Sequence, residues 1–182
     1  MAEKKSKLEK LFWIDLEMTG LDVDKEVIIE CAVVITDLNF KELDKFETVV
    51  KQPQKYLESM DDWNKSHHRE SGLTAKVPHG MSSDDTETQL IQMVRRHFSN
   101  DDRPVLAGNS IMQDRLFIDK YWPGFASTLH YRMLDVSSWK VIYNSKLNLK
   151  YEKKNAHRAL EDVYESIAEL QYYLNFIKLG KD

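Results

Sequence analysis

The stretch "LFWIDLEMTGLD", residues 11–22, decides how this chain is read. It has the apolar density of a buried strand, yet Asp15 and Glu17 stand inside it. Strand side chains alternate between faces, so residues two apart point the same way. Two like charges on one buried face repel each other and lose hydration. They take up protons unless a cation holds them ionised. Hard carboxylate oxygens suit magnesium or manganese in that role. The alternative is a strand end that meets solvent and carries two solvated carboxylates. A D-x-E pair alone does not decide between the two.

Bulk properties narrow the field. A chain of 182 residues, 42% hydrophobic and 31% charged, fits one domain with a full core. No apolar run approaches a membrane span, so no membrane association is expected. The opening "MAEKKSKLEK" lacks the apolar segment of a secretory signal and also lacks arginine. Residues 1–9 are expected to be a frayed tail, and residues 10–180 a single domain. A cytoplasmic location is expected, or a mitochondrial one if the N-terminus is processed. The lone cysteine, Cys31, excludes an internal disulfide and a Cys-rich zinc site. Its apolar surroundings suggest a buried, inert thiol. The net charge of −4 counts against tight binding of long nucleic acid, which needs a basic stripe. A small phosphorylated ligand stays compatible, because a metal site can supply local positive charge.

Outward from the opening stretch, strands are expected over residues 11–18, 27–37 and 46–50. The gaps are too short for crossover helices, so these strands should form an antiparallel meander. Residues 51–80 read as short helices and loops. Residues 84–98 form an amphipathic helix, with Asp84 as N-cap, Glu87 three residues on, and Leu90, Ile91, Val94 and Phe98 on one face. "PVLAGN" is a fourth strand, followed by a helix from Met112 that Pro123 and Gly124 end. "HYRMLD" is a fifth strand, parallel to the fourth because a helix joins them. Residues 136–144 are helical. A last helix carries Leu160, Val163, Ile167, Leu170, Leu174 and Ile177 on one stripe. The fold class is α/β, a five-stranded mixed sheet with three antiparallel and two parallel strands and helices on its faces. That is the arrangement of the ribonuclease H-like fold.

Two further segments bear on the opening pair. "GNSIMQD" sets Asp114 just past the end of the fourth strand, where sheet proteins commonly build sites. "HRALED" sets His157 five residues before Asp162. Asp162 falls about 100° from the centre of the apolar stripe of its helix, at an edge from which it can reach the sheet. His157 and Asp162 would lie about 140° apart on one helix, so they converge only if His157 is on the entering loop or first turn. Taken singly, Asp114 and His157 read equally well as surface residues.

Together, Asp15, Glu17, Asp114, His157 and Asp162 resemble the DEDD exonucleases, in the subgroup with the H-x4-D spacing (DEDDh). "WIDLEMTGLD", "MDDWN", "SGLT", "AGNSIMQD", "HYRMLDVS" and "HRALEDVYESIAELQYY" are similar to the oligoribonucleases within that group. The resemblance implies 3′-to-5′ hydrolysis of RNAs of about two to five nucleotides to 5′-mononucleotides. It implies two divalent ions, magnesium or manganese, on Asp15, Glu17, Asp114 and Asp162, with His157 as general base. It makes Leu21 a wedge between bases, Trp63 a stacking platform and His67 a neighbour of the substrate. His68 and Arg69 read as solvated. Ser110 and Gln113 are assigned to the 5′ phosphate. The resemblance also implies a homodimer in which Tyr131 and Arg132 complete the partner's phosphate pocket.

One segment departs from the family pattern: "WKVIYNSKLNLKYEKKN", before His157, is shorter and less basic. It leaves open how the chain approaches that histidine. The other readings are a DEDD exonuclease for longer RNA ends or DNA, and an inactive module that binds short RNA. Retention of all five chemical residues favours an enzyme.

Overall fold

Strand β1, Lys10–Met18, is the centre of the molecule. The computed structural model describes residues 8–99, 101–152 and 158–177. Antiparallel strands β2, Ile28–Asp37, and β3, Glu42–Val49, follow on one side of β1. The turn between them is closed by the Asp37 carboxylate, which accepts the N–H groups of Asn39 and Lys41. Short helices come next: α1, Gln54–Ser59, α2, Asp62–Glu70, and α3, Leu73–Lys76, with a 3₁₀ turn over Val77–His79. Then come α4, Ser83–His97, β4, Val105–Gly108, α5, Met112–Tyr121, and α6, Pro123–Ala126. The chain continues through β5, Met133–Asp135, and α7, Val136–Leu147, to α8, Ala159–Leu174. Sheet order is β3-β2-β1-β4-β5, with β4 and β5 parallel to β1. The expected meander and the two parallel strands are therefore both present.

Alternation along β1 feeds two cores. Phe12, Ile14 and Leu16 pack with Leu90, Met93, Phe117, Ile118, Trp122 and Phe125 of α4, α5 and α6. Leu11 and Trp13 face the other way, towards Val136, Tyr143, Val163, Ile167, Leu170 and Tyr173 of α7 and α8. The Trp13 indole donates to the Thr36 hydroxyl at 3.0 Å, so its one polar atom is satisfied. Cys31 is fully buried between strands, and burial pushes its thiol well above the usual range, as expected of an inert cysteine. Among the described residues no helix is long and apolar enough to cross a membrane.

Four local expectations need correction. The cap of α4 is Ser82, whose hydroxyl oxygen accepts the Asp85 N–H while its O–H donates to the Asp85 carboxylate. Glu87 is occupied elsewhere: it accepts the Phe125 N–H and ties α4 to α6. The fifth strand is only Met133–Asp135, so His130, Tyr131 and Arg132 lie outside it. Pairing starts at Leu106 and Met133, and just before it the Arg132 N–H donates to His130 Nδ1 at 2.9 Å, a local turn contact outside the ladder. β3 begins at Glu42 rather than residue 46, and Ile177 falls beyond the end of α8.

Parallel pairing of β1 with β4 covers Leu11 to Trp13. Gly108 then passes so close to β1 that an added Cβ would stand 2.9 Å from the Ile14 carbonyl oxygen. The β1 backbone on one side and the Ile111 side chain, 3.1 Å away, on the other leave little room to relax. Gly108→Ala is expected to lower unfolding stability by about 1–3 kcal/mol, read from the urea midpoint; an unchanged midpoint would contradict the close approach.

Candidate active site

The site forms where the α8 side of β1 runs out of apolar residues. Leu11 and Trp13 lie under α8, and Asp15 and Glu17 continue the same face towards the first turn of that helix. Asp162 stands in that turn. Oxygens of Asp15, Glu17 and Asp162 all lie within 4.8 Å of one another, and all three residues are half-buried. The edge position expected for Asp162 is what lets it meet the sheet.

Asp114 is held differently. It is only 6% exposed, in the first turn of α5, and its Oδ1 accepts the Leu16 N–H at 3.0 Å. Pairing with β4 has ended by then, and the Asp114 carboxylate satisfies the β1 donor that lies between Asp15 and Glu17. Asp114 is not within the 4.8 Å cluster, but its charge acts on Glu17.

The electrostatics are those of a cradle awaiting a cation. Burial, then the charges of Asp162, Glu30 and Asp114, push the Glu17 carboxyl up to about 8. Burial raises Asp114 to about 7, with Asp135 adding to it and the Leu16 N–H opposing it. Oxygen donors crowded at this spacing, and protonated in the absence of a counterion, fit a hard divalent ion. His157 lies outside the described residues.

Residues assigned to substrate lie on four segments: the loop after β1, helix α2, the start of α5 and the approach to β5. Leu21 is 75% exposed in the loop after β1. That loop is pinned by α5: the Gln113 amide donates to the Leu21 carbonyl at 2.7 Å, Lys120 Nζ to Val23 O at 2.6 Å and Tyr121 OH to Glu26 O at 2.6 Å. On α2, Trp63 is 67% exposed and stacks on His67 with ring centres 4.6 Å apart. His68 is buried rather than solvated, and its ring bonds the Met18 carbonyl through Nε2 at 2.9 Å. Burial holds it below the usual histidine range, so it is neutral and Nε2 carries the donated proton. It fastens α2 to the end of β1.

Ser110 has φ of 51°, and its N–H donates to Asp135 Oδ1 and Ser137 Oγ. Asp135 and Ser137, which sequence reasoning passed over, thus shape the Ser110 turn. Tyr131 is 74% exposed and sits between the His130 ring, 4.5 Å away, and the Arg132 guanidinium, 5.2 Å away. Sequence reasoning also missed Glu30 and Arg158, a buried pair at the root of α8.

Comparison with known proteins agrees with this architecture. Residues 12–170 match the RNase_T exonuclease family. The mitochondrial oligoribonuclease of Bos taurus is 43% identical over 97% of this chain and 77% of its own length. The human mitochondrial oligoribonuclease is 42% identical over the same shares, and the oligoribonuclease of Francisella tularensis is 44% identical over 91% of this chain and 94% of its own. Among solved structures, Escherichia coli exonuclease I in complex with a dT13 oligonucleotide superposes with a TM-score of 0.68 at 14% identity, covering 91% of this chain. The zinc-bound form of the E. coli ExoI–ssDNA complex gives 0.71 at 14% identity over 91% of this chain. This chain spans about two fifths of those exonuclease I chains, and at that identity they speak for the fold. The chain belongs to the RNase_T exonucleases and, within them, to the oligoribonucleases.

The raised carboxyls have a consequence for stability. A carboxyl with a folded value above its ordinary one keeps its proton in the native state where the unfolded chain has lost it. Its contribution is therefore full below about 4 and lost as pH rises towards 8. In chelator, thermal midpoints should fall across that window, and Glu17→Gln should flatten the fall. Identical slopes for the two proteins would show that Glu17 is not the group responsible.

Proposed function

We propose that the protein is a 3′-to-5′ exoribonuclease that degrades RNAs of about two to five nucleotides to 5′-mononucleotides. The reading is carried by the convergence of Asp15, Glu17 and Asp162 in a chain of the oligoribonuclease family. Two divalent ions, magnesium or manganese, would offset phosphate charge and activate water. Asp15, Glu17 and Asp162 would hold them, with Asp114 as the fourth carboxylate.

The chain's own groups do the rest. His157 takes the proton of the attacking water, and its sequence neighbour Arg158 is fixed to β2 through Glu30. Leu21 separates two bases, and Trp63, braced by His67, stacks on one of them. Ser110 binds the 5′ phosphate, and Gln113, assigned to the same phosphate, also holds the wedge loop. Exposed Tyr131 and Arg132, with exposed Val141 and Ile142 on α7, fit a face covered by a second copy of the chain. In that homodimer Tyr131 and Arg132 complete the partner's phosphate pocket. The mammalian relatives are named mitochondrial and others are bacterial, and the proposal places this protein in the cytoplasm, or in mitochondria after processing.

A length series tests the substrate. Labelled RNAs of two, three, five, ten and twenty nucleotides should turn over ever more slowly as they lengthen. Chelator, or Asp15→Asn in a folded protein, should abolish the activity. Flat or rising turnover would instead indicate an exonuclease for longer ends, and no turnover with metal present a binding module.

Mixing tests the shared pocket. Arg132→Ala and Asp15→Asn proteins, each impaired alone, should regain activity when their subunits exchange. Verified mixed dimers without recovery would show that each site is complete within one subunit.

A further inference from the structure

The register of β1 and β2 sets Glu17 directly opposite Glu30. Facing residues of an antiparallel pair share a face, so this is a second close pair of carboxylates beside the cradle. Glu30 is 4% exposed and fully engaged. Its Oε1 accepts Arg158 Nη2 at 2.6 Å and Nε at 3.0 Å, and its Oε2 accepts Arg158 Nε at 3.3 Å and the Ala159 N–H at 3.2 Å.

That last bond does the work of a helix cap. Among the described residues no side chain near the start of α8 caps it, and the carboxylate comes instead from β2. Arg158 in turn supplies the carbonyl that accepts the Asp162 N–H at 2.9 Å. A short bonded path thus runs from Glu30 through Arg158 to the backbone of Asp162. The planar guanidinium suits this two-point grip, which lysine cannot reproduce. The apolar stripe of Val163, Ile167, Leu170 and Tyr173 already docks α8 on the sheet. A buried ion pair adds little to such docking, because an apolar pair of similar size would serve as well. Its specific effect is local, on the first turn.

We propose that Glu30 and Arg158 are positioning residues that pin the first turn of α8, so that Asp162 closes on Asp15 and Glu17 and a divalent ion meets a preset ligand group. The proposal rests on the metal-dependent reading above. It also explains how Glu30 can face Glu17 without adding an unpaired charge to the cradle: the guanidinium offsets it, and Arg158 opposes the upward push on Glu17.

The test is calorimetric titration of the full chain with Mn²⁺, using wild type, Glu30→Gln, Arg158→Lys and the double variant Glu30→Gln/Arg158→Met. Each is checked for native circular dichroism in chelator first. Glu30→Gln should weaken Mn²⁺ binding by about 10–100-fold, the range seen when groups behind metal ligands are removed. Arg158→Lys should fall between it and wild type. KM for a dinucleotide at saturating Mn²⁺ should stay within about twofold. The double variant strands no buried charge and decides the matter if a single variant fails to fold. Folded variants that bind Mn²⁺ as wild type does would overturn the positioning role and leave the metal reading intact. A folded wild type that binds no Mn²⁺ would overturn both.

Discussion

The site depends on holding three carboxylates together against their own repulsion. Two unit charges about 4 Å apart repel by about 4 kcal/mol at an effective dielectric of 20. The whole folding stability of a domain is only about 5–15 kcal/mol. Asp15, Glu17 and Asp162, within 4.8 Å of one another, therefore cannot all be ionised without compensation. Burial and the charges of Asp162, Glu30 and Asp114 accordingly raise the Glu17 carboxyl to about 8. What keeps the group assembled is backbone. Asp15 and Glu17 cannot part because they belong to the central strand, and Asp162 cannot swing away because α8 is docked over Trp13.

The surrounding elements extend this rigidity to the substrate side. Helix α5 supplies Asp114, which braces β1 from its open edge, and Gln113, Lys120 and Tyr121, which brace the Leu21 loop. Helix α2 presents Trp63 and His67 outward while His68 bonds β1 from within. Both exposed contact groups are thus fastened to the strand that carries Asp15 and Glu17. A short substrate gripped at Leu21 and Trp63 would be placed relative to the acidic cluster by strand geometry, not by side-chain flexibility.

How much of this was legible follows from what each signal depends on. Local periodicity found β1, β2 and the stripe of α8, and the strand period alone put Asp15 and Glu17 on one face. Helix angles placed Asp162 at an edge, and the cluster bears that out. Features set by distant partners were illegible. Glu30 reads as an ordinary strand residue until β2 meets the root of α8, 128 residues away. His68 reads as one polar residue among several on a short helix until α2 folds back onto Met18. The α4 cap was misplaced by two residues because Ser82 and Asp84 both suit a cap, and Glu87, expected to pair with an Asp84 cap, is drawn to α6 instead. The assignment of HYR to a strand failed because the Arg132 N–H bonds the His130 ring in a local turn, a contact that strand-like composition does not reveal.

The acidic balance of the chain has a functional side as well. With a net charge of −4 and a crowded carboxylate cluster, the metal-free site repels a phosphodiester. Cation binding and phosphate binding then favour each other, since each relieves the repulsion that opposes the other. On the proposed reading, an RNA reaching the cradle without its cation would lack the charge neutralisation that its phosphate needs. Among the described residues, Arg158 is paired with Glu30, and Lys120 with Val23 and Asp24. The acidic balance of the chain counts against a long strand being held away from the cluster. On the proposed reading, a preference for short RNA needs no wall to exclude long strands: the neutralised phosphate, the stacked base and the 5′-phosphate pocket are all within reach of a dinucleotide.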